Sequence, residues 1–236
     1  MRQIIIFGDR IYAKYKTDLG DDGGDYIDRM RKASERMQSL IKNILAFSKS
    51  AALTGPFEET NINELVNDVL SDLQLYIEQK KALFNIGKLP LMNVIPDQFR
   101  QLIQNLVINA LKFSKEDITP IITISAEKIK GMNISGINAD QYDEPYWKLS
   151  ISDNGIGFDE KYAEQIFMIF KRLHSFDQFE GTGIGLSICK KIVEKHNGFI
   201  NATGRVGQGA TFNIIIPQKQ NIIITEESSV KKKHLA

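Results

Sequence analysis

Two short glycine-containing runs hold the residues of this chain that are best suited to chemistry. In the first, Asp153–Phe158 (DNGIGF), a carboxylate follows the alternating segment Trp147–Ser152, and continued alternation places Asp153 on the buried side. A buried carboxylate needs a strong hydrogen-bond donor, which the amino group of adenine would supply. Gly155 and Gly157 would let the backbone approach a flat ligand closely. The alternative is an ordinary strand-ending turn, a common use of Asp-Asn-Gly.

The second run, Gly181–Leu186 (GTGIGL), is a glycine loop that opens a helix predicted over Leu186–His196. Free N–H groups and the positive end of the helix dipole make such a terminus suitable for phosphate. We therefore hypothesise that the two runs are two walls of one nucleotide pocket. The segment between them is predicted to be a mobile lid, which begins with a predicted helix over Glu160–Phe170.

A helical strip supplies a third candidate wall. Asn105 and Asn109 are four residues apart and share a helix face, and Lys112 and Phe113 extend that face by one turn. Amide oxygens can ligate a hard cation, a lysine can meet phosphate, and an aromatic ring can cover a base. The alternative is a set of solvated polar positions, which is the more common use of asparagine in a helix.

Alternating helices and strands must position these three walls. From residue 57 onward the pattern is α/β: a short strand over Phe57–Thr60, a helix capped by Asn61 or Asn63 that runs to Ile77, and a helix starting at Pro96 with Asp97 as its N-cap. Strands are predicted over Leu83–Ile86, Ile121–Glu127, Trp147–Ser152, Phe199–Ala202 and Ala210–Ile216, and residues 128–144 are predicted to be a long hairpin loop. Residues 218–236 are predicted to be a tail, although Ile222–Ile224 could pair on a sheet edge.

Residues 1–50 predict a helical hairpin with its turn at Leu19–Gly24. Apolar residues of the second arm recur in steps of four and three, the seam of a helix bundle: Tyr26, Met30, Ala33, Met37, Leu40, Ile44 and Phe47. One hairpin cannot bury so wide a stripe, whereas two hairpins in a homodimer can. The alternative is a hairpin folded against its own globular domain.

The composition is that of an ordinary soluble protein, with 42% hydrophobic and 25% charged residues. A net charge of +1 gives no reason to expect nucleic acid as a partner. The single cysteine, Cys189, excludes an internal disulfide and fits a reducing, cytoplasmic compartment. No apolar run reaches the length of a membrane span, and the chain opens directly into a helical pattern. We expect a piece of a longer protein, whose missing upstream region could still carry a membrane anchor.

Several enzyme classes are excluded by their missing motifs. The glycines at 181, 183 and 185 do not follow a strand as a dinucleotide fingerprint would, and no G-x-x-x-x-G-K-[ST] loop exists. The sequence lacks the D-F-G and H-R-D motifs of Ser/Thr/Tyr kinases and the G-x-S-x-G elbow of hydrolases. His174, His196 and His234 are too scattered to indicate zinc.

Taken together, the motifs of residues 57–217 resemble those of sensor histidine kinases. The run Asn105–Phe113 resembles their N box, Asp153–Phe158 their G1 box, Ile166–Phe170 their F box, Gly181–Leu186 their G2 box and Gly207–Phe212 their last glycine box. The order and spacing of all five are specific to this family. The segments Lys171–Ser175 and Glu180–Gly183 are similar to the phytochrome-type and multi-sensor kinases. The resemblance implies a Bergerat (GHKL) α/β sandwich with a mixed sheet, shared with gyrase, mismatch-repair and heat-shock-chaperone ATPases, preceded by a dimerisation hairpin.

The resemblance also implies a role for each matching residue. Asp153 would accept from the adenine amino group, Asn105 and Asn109 would hold Mg²⁺, and Lys112 would neutralise phosphate. Phe113 would cover the base, and Arg172 is a candidate for contact with the γ-phosphate. The glycines would shape the pocket, and the implied ATP-binding set is Asn105, Asn109, Lys112, Phe113, Asp153, Gly155, Gly157, Arg172, Gly181, Thr182, Gly183, Gly185 and Leu186.

One departure from the family concerns the acceptor. The phosphoacceptor histidine normally lies in the first hairpin helix, and residues 1–50 contain no histidine. We expect a fragment that starts just downstream of that residue; the alternative is a natural kinase that lost it.

The implied organisation is a truncated dimerisation and phosphoacceptor hairpin over residues 1–55, an ATP-binding catalytic domain over 56–217 and a tail over 218–236. The implied activity is transfer of the γ-phosphoryl group of Mg-ATP to a histidine, and then to an aspartate in the receiver domain of a response regulator. Two other classes stay open. One is a Bergerat ATPase that drives dimer clamping, and the other is a non-catalytic dimeric scaffold.

Overall fold

A computed structural model describes residues 2–52, 55–134, 137–138, 141–173, 179 and 181–220. The predicted hairpin is confirmed: helix α1 (Arg2–Ala52) leaves helical geometry at Tyr15 and at Gly20, where φ is +62°. The two arms pack against each other. Gly8 of the first arm lies close to Met30 of the second, since a Cβ added to Gly8 would be 3.4 Å from Met30 Cε; likewise, a Cβ added to Gly24 would be 3.6 Å from the Tyr12 ring. Within the predicted turn Leu19–Gly24, Gly20 alone leaves helical geometry.

Large apolar side chains remain exposed on this hairpin. Phe7 is 57% exposed and Tyr26 is 69% exposed, and they are accompanied by Ile4, Ile11, Tyr15, Met30, Met37 and Ile41. The sequence stripe is therefore not covered within this single chain, as far as its side chains are described. No described helix is both long and apolar enough to cross a lipid bilayer.

The strands of the remaining chain form two sheets, a small antiparallel one and a larger mixed one. Strands β1 (Glu58–Asn61) and β3 (Leu91–Val94) form a small antiparallel pair. The strands of the main sheet are β2 (Leu83–Ile86), β4 (Ile121–Lys130), β5 (Pro145–Asp153), β6 (Phe199–Arg205) and β7 (Gly209–Pro217). Their order is β2-β4-β5-β7-β6, in which β2 runs parallel to β4 and the other neighbours are antiparallel.

The helices α2 (Ile62–Asp72), α3 (Gln74–Lys80), α4 (Pro96–Lys112) and α5 (Gly185–Lys195) complete the fold. The core joins α2, α4 and α5 to the main sheet; Phe99 and Leu106 of α4 and Ile124 of β4 are all fully buried. Each such side chain contributes roughly 1.5–3 kcal/mol relative to an exposed one. The predicted α/β sandwich with a mixed sheet is thus confirmed, and its core holds α4 and α5 side by side.

Two predictions about helix boundaries are corrected. The helix predicted to run to Ile77 breaks at Leu73 into α2 and α3. The N-cap of α4 is Ile95, not Asp97, because Pro96 takes the first helical position, for which its fixed φ is suited. Asp97 lies in the first turn, where its charge still favours the helix dipole.

The choice of cap for α2 is also resolved. The side chain of Asn61 accepts hydrogen bonds from the N–H groups of Asn63 and Glu64. Asn63 instead donates from Nδ2 to the Leu89 carbonyl at 2.8 Å, so it fastens α2 to the segment that leads into β3.

The helix predicted over Glu160–Phe170 is wrong. The segment contains two short 3₁₀ turns, Glu160–Tyr162 and Gln165–Phe167, and Phe170 adopts φ +64°. The Phe170 N–H donates to the Gly183 carbonyl at 3.0 Å, which ties the end of this segment to the glycine loop. The loop predicted from residue 128 is shorter than expected, because β4 continues to Lys130 and a 3₁₀ turn follows at Gly131–Asn133. Ile222–Ile224, His174 and His234 lie outside the described residues.

Candidate functional site

A cavity of about 380 Å³ lies between α4, the end of β5, the glycine loop and β7. Its size is in the range of small-molecule sites. All of the predicted site residues except Gly155 line it, namely Asn105, Asn109, Lys112, Phe113, Asp153, Gly157, Arg172, Gly181, Thr182, Gly183, Gly185 and Leu186. The three walls expected from the sequence therefore meet around one space.

The carboxylate of Asp153 is held by the backbone at the end of β5. Its Oδ1 accepts hydrogen bonds from the N–H of Gly155 at 2.9 Å and of Ala210 at 3.3 Å. Burial raises the pKa of this carboxyl, while the two backbone hydrogen bonds and the Lys115 ammonium oppose the rise. None of the described residues hydrogen-bonds its second oxygen, Oδ2, so the carboxylate can still accept from a ligand.

Gly155 lies behind the wall rather than in it. A Cβ at this position would lie 2.4 Å from the Phe113 carbonyl oxygen, and the neighbouring Ile156 N–H donates to the same oxygen at 2.9 Å. Its small size therefore lets the Asp153 turn pack on the end of α4, instead of shaping the cavity floor as expected. Asn154 also has a structural role. Its side chain accepts a hydrogen bond from the Ile121 N–H and donates one to the Thr119 carbonyl, which ties the Asp153 turn to the start of β4.

Two other glycines let the Asp153 turn approach β6 and β7. Gly157 lines the cavity with φ +62°, and a Cβ there would lie 2.1 Å from the Arg205 carbonyl oxygen. Gly209 has φ +96°, and a Cβ there would lie 1.9 Å from the Asp153 carbonyl oxygen. No other residue type could keep this backbone in place.

The polar face of α4 meets the glycine loop across the cavity. Asn105 Nδ2 donates to the Gly185 carbonyl at 3.5 Å, which links the two walls directly. The Lys112 ammonium lies 2.5 Å from the position that a Cβ of Gly181 would take, so the absent side chain leaves room for the cation. The same ammonium is 4.5 Å from the centre of the Phe113 ring.

Helix α5 presents its N-terminus to this space. It begins at Gly185, its N-cap residue Ile184 provides no side-chain hydrogen bond, and its first turn holds no acidic residue. The first N–H groups of a helix have no partner within the helix. Together with the nearby Lys112, this end of α5 is therefore suited to an anion.

Arg172 and Phe179 contact each other at the cavity edge. Arg172 Nη2 donates to the Phe179 carbonyl at 2.8 Å, and the Phe179 ring is 5.0 Å from the ring of Phe113. The guanidinium expected to face a γ-phosphate is thus hydrogen-bonded to the backbone of Phe179 in this structure. Residues 174–178 and 180 of the predicted lid lie outside the described part of the chain.

Several lining residues are absent from the predicted ATP-binding set, although Phe158, Ile166, Ile184, Ala210 and Phe212 fall within the motifs that resemble those of the family. These additional lining residues are Gln101, Ile108, Phe158, Ile166, Lys171, Leu173, Phe179, Ile184, Ile188, Ala210 and Phe212. Helical spacing could have found Gln101 and Ile108, which lie four residues before Asn105 and Lys112. Ala210 could not be found in this way, because it reaches Asp153 only through the register of β5 with β7.

Comparison with known proteins places this arrangement in a family. The model of the histidine kinase-, DNA gyrase B-, and HSP90-like ATPases matches residues 94–220, more than half of the chain. Cyanobacterial phytochrome A of Nostoc sp. (strain PCC 7120 / SAG 25.82 / UTEX 2576) is 35% identical over 217 residues, which cover 92% of this chain and 26% of the phytochrome. The chain thus spans about a quarter of the length of that relative.

Solved structures agree with the family match. The nucleotide-free catalytic domain of histidine kinase ThkA has a TM-score of 0.54 and 26% identity, and covers 70% of this chain and 99% of that domain. Histidine kinase ThkA in complex with response regulator protein TrrA has a TM-score of 0.60 and 23% identity, and covers 93% of this chain and 59% of that one. The latter likeness concerns the fold alone. The chain belongs to the histidine kinase-, DNA gyrase B- and HSP90-like ATPase family, within which it carries the ATPase domain of a sensor histidine kinase.

Proposed function

We propose that this chain is the catalytic core of a two-component sensor histidine kinase. It binds Mg-ATP in the cavity and transfers the γ-phosphoryl group to a histidine. The phosphoryl group then passes from that histidine to an aspartate in the receiver domain of a response regulator. The observation that carries the proposal is that three features meet around one cavity: a carboxylate oxygen of Asp153 with no partner among the described residues, the amide-and-lysine face of α4, and the N-terminus of α5, which has no side-chain cap. A kinase of this fold has been solved with a response regulator, which supports the proposed partner.

The adenine would lie at the Asp153 end of the cavity. Oδ2 of Asp153 would accept a hydrogen bond from the amino group of the base, while Oδ1 stays bound to the Gly155 and Ala210 N–H groups. Such a charged acceptor in a half-buried site favours a donor strongly. The Phe113 ring would cover the base, and Gly157 would leave space beneath it.

The phosphates would lie at the other end. Lys112 would neutralise their charge, and the N–H groups of Gly185 and Leu186 at the start of α5 would donate to their oxygens. The loop Gly181–Gly183, including Thr182, borders the same region. Because these donors are fixed before the nucleotide arrives, they would stabilise transferring charge without reorganisation.

The donor set fits Mg²⁺ only together with nucleotide phosphates. Asn105 and Asn109 offer neutral amide oxygens on the cavity wall, and no group of three or more His, Cys, Asp or Glu residues among the described ones could hold a metal. Magnesium accepts oxygen ligands and keeps several waters, so two amides with phosphate oxygens form a suitable set. The ion would supply charge neutralisation and orientation of the phosphates.

The transfer step requires little chemistry from this domain. The bond between the γ-phosphorus and the bridging oxygen of ATP would break, a bond to an imidazole nitrogen would form, and ADP would leave. The contribution of the domain is positioning and charge stabilisation. The acceptor would lie on a hairpin of the kind formed by residues 1–55, with 56–217 as the catalytic domain, and the exposed apolar stripe of α1 supports pairing of two such hairpins in a homodimer.

Replacing Asn109 with leucine is expected to weaken Mg-ATP binding by about tenfold, because one amide ligand is lost at similar side-chain volume. Titration calorimetry with ATP, in the presence of Mg²⁺ and then of EDTA, measures the effect. Removal of Mg²⁺ is expected to weaken binding to the unmodified chain more than to Asn109→Leu. Gln104→Leu, on the same helix but outside the cavity lining, is the control and should bind normally. An equal loss of ATP affinity in Asn109→Leu and Gln104→Leu would count against Asn109 as a ligand of the Mg²⁺ bound with ATP.

The chain is expected to bind ATP without labelling its own histidines. Residues 1–50, where the resemblance places the acceptor, contain no histidine; of the three histidines in the chain, His196 is fully buried, and His174 and His234 do not lie in the hairpin. Incubation with γ-³²P-ATP and Mg²⁺, followed by mass spectrometry of acid-labile phosphate, tests this expectation. A phosphohistidine mapped to this chain would show that the acceptor lies within it and that the proposed division of roles is incorrect.

A further inference from the structure

His196 lies fully buried at the end of α5, away from the cavity, and joins two helices. Its Nε2 accepts a hydrogen bond from the Ile95 N–H at 2.9 Å, and its Nδ1 lies 2.7 Å from the Ile192 carbonyl oxygen. A backbone N–H can only donate, so Nε2 must be the acceptor and Nδ1 must carry the proton. Both ring nitrogens are therefore used, and the ring is neutral.

The two partners of His196 belong to the two helices that form opposite walls of the cavity. Ile95 is the N-cap of α4, which later presents Asn105 and Asn109 to the cavity. Ile192 lies in the second half of α5, whose first residues face the same cavity about 10 Å away along the helix axis. Because a helix moves largely as one rigid unit, the contact at His196 helps to set where the start of α5 lies relative to α4, together with the Asn105–Gly185 hydrogen bond at the other end of α5.

The segment that follows the hairpin packs on the same point. The Phe57 ring meets the His196 ring edge-on at 5.2 Å, and Phe99 of α4 approaches it at 5.6 Å. A Cβ on Gly55 would lie 3.0 Å from Ile95 Cγ2. Residues 55–57 therefore touch both partners of the His196–Ile95 hydrogen bond.

We propose that His196 is a positioning residue for the nucleotide cavity, and that residues 55–57 act on the cavity through it. The inference rests on the proposed nucleotide binding. His196 holds α5 against α4 through an acceptor that an apolar side chain could not replace without leaving the Ile95 N–H buried and unsatisfied. Movement of Phe57, which lies five residues after the end of α1, would shift the same contact and hence the spacing of the two walls.

The burial of His196 is consistent with its positioning role, because burial disfavours protonation of Nε2, the atom that accepts the hydrogen bond from Ile95. Burial lowers the pKa of His196, as does the nearby Lys195 charge, whereas the hydrogen bond to the Ile192 carbonyl raises it. Nε2 therefore stays unprotonated, with its lone pair directed at the Ile95 N–H.

The test compares ADP affinity in three variants by titration calorimetry. His196→Phe keeps the ring but removes the acceptor and is expected to bind ADP about tenfold more weakly, because small misplacements of binding groups are costly. His196→Gln restores an acceptor at the position of Nε2 and is expected to recover affinity to within about threefold. Val69→Ala, a buried substitution in α2 outside the cavity, lowers stability as a control and should bind ADP normally.

The outcomes separate this inference from the proposed function. If the unmodified chain does not bind ADP, the proposed function is wrong and the inference is wrong with it. If the unmodified chain binds ADP, two results overturn the inference alone. One is that His196→Phe binds ADP as tightly as the unmodified chain, and the other is that Val69→Ala loses as much ADP affinity as His196→Phe. Should His196→Phe not fold, Phe57→Ala decides: weaker ADP binding by a folded Phe57→Ala chain supports the inference, and unchanged binding overturns it.

Discussion

Replacing Asp153 with asparagine is expected to weaken ADP and ATP binding by at least about a hundredfold. The asparagine oxygen can still accept from the Gly155 and Ala210 N–H groups, but the other oxygen becomes an NH₂ that faces the amino group of adenine. A charged acceptor is replaced by a competing donor, a change of roughly 3 kcal/mol or more. Titration calorimetry of the two chains measures the loss.

The fold of Asp153→Asn is expected to be intact. Burial raises the pKa of Asp153, so its folded form binds a proton more readily than its unfolded form, and stability from this group is lost as the pH rises. A neutral asparagine avoids that loss, so the thermal midpoint at neutral pH should not fall. Asp143→Asn, at a side chain that is 93% exposed, is the matched control. Retained nucleotide binding by Asp153→Asn would refute the role of the carboxylate.

Replacing Gly209 with alanine is expected to lower the free energy of unfolding by about 3 kcal/mol. The residue has φ +96°, and the new Cβ would lie 1.9 Å from the Asp153 carbonyl oxygen. Left-handed strain of roughly 1–2 kcal/mol and a steric overlap of roughly 1–3 kcal/mol both contribute. Because the overlap would displace the Asp153 turn, nucleotide binding should also be lost. Urea unfolding and calorimetry measure the two effects.

Gly207→Ala is the matched control for this substitution. Gly207 also has a positive φ, +77°, but a Cβ there would meet nothing within 4 Å. Only the backbone strain of about 1 kcal/mol then remains. Equal destabilisation by both substitutions would show that close approach of β7 to Asp153 is not what requires glycine at position 209.

The polar walls of the site were predictable because each follows one regular period. Helical spacing put Asn105, Asn109 and Lys112 on one face, and strand alternation brought Asp153 to the buried side. Both periods are set by local backbone geometry, so the spacing of residues in the sequence is enough to reveal them. The same is true of the α5 N-terminus, where a glycine run precedes a clear helical pattern.

Other features depend on contacts between distant segments and could not be read in this way. Gly155 was expected in the cavity floor, yet its close neighbour is the Phe113 carbonyl on another element. The segment 160–170 has apolar residues at helical spacing, but it forms only two 3₁₀ turns and ends in a hydrogen bond from the Phe170 N–H to the distant Gly183 carbonyl.

The most direct test of the central claim compares ADP with GDP on the unmodified chain by titration calorimetry. Adenine presents an amino donor at the position where guanine presents a carbonyl acceptor. If Asp153 Oδ2 receives that group, ADP should bind at least about a hundredfold more tightly than GDP, since the carboxylate would repel the guanine oxygen. Equal affinity for the two nucleotides, or no binding of ADP, would contradict the assignment of this cavity as an adenine-nucleotide site.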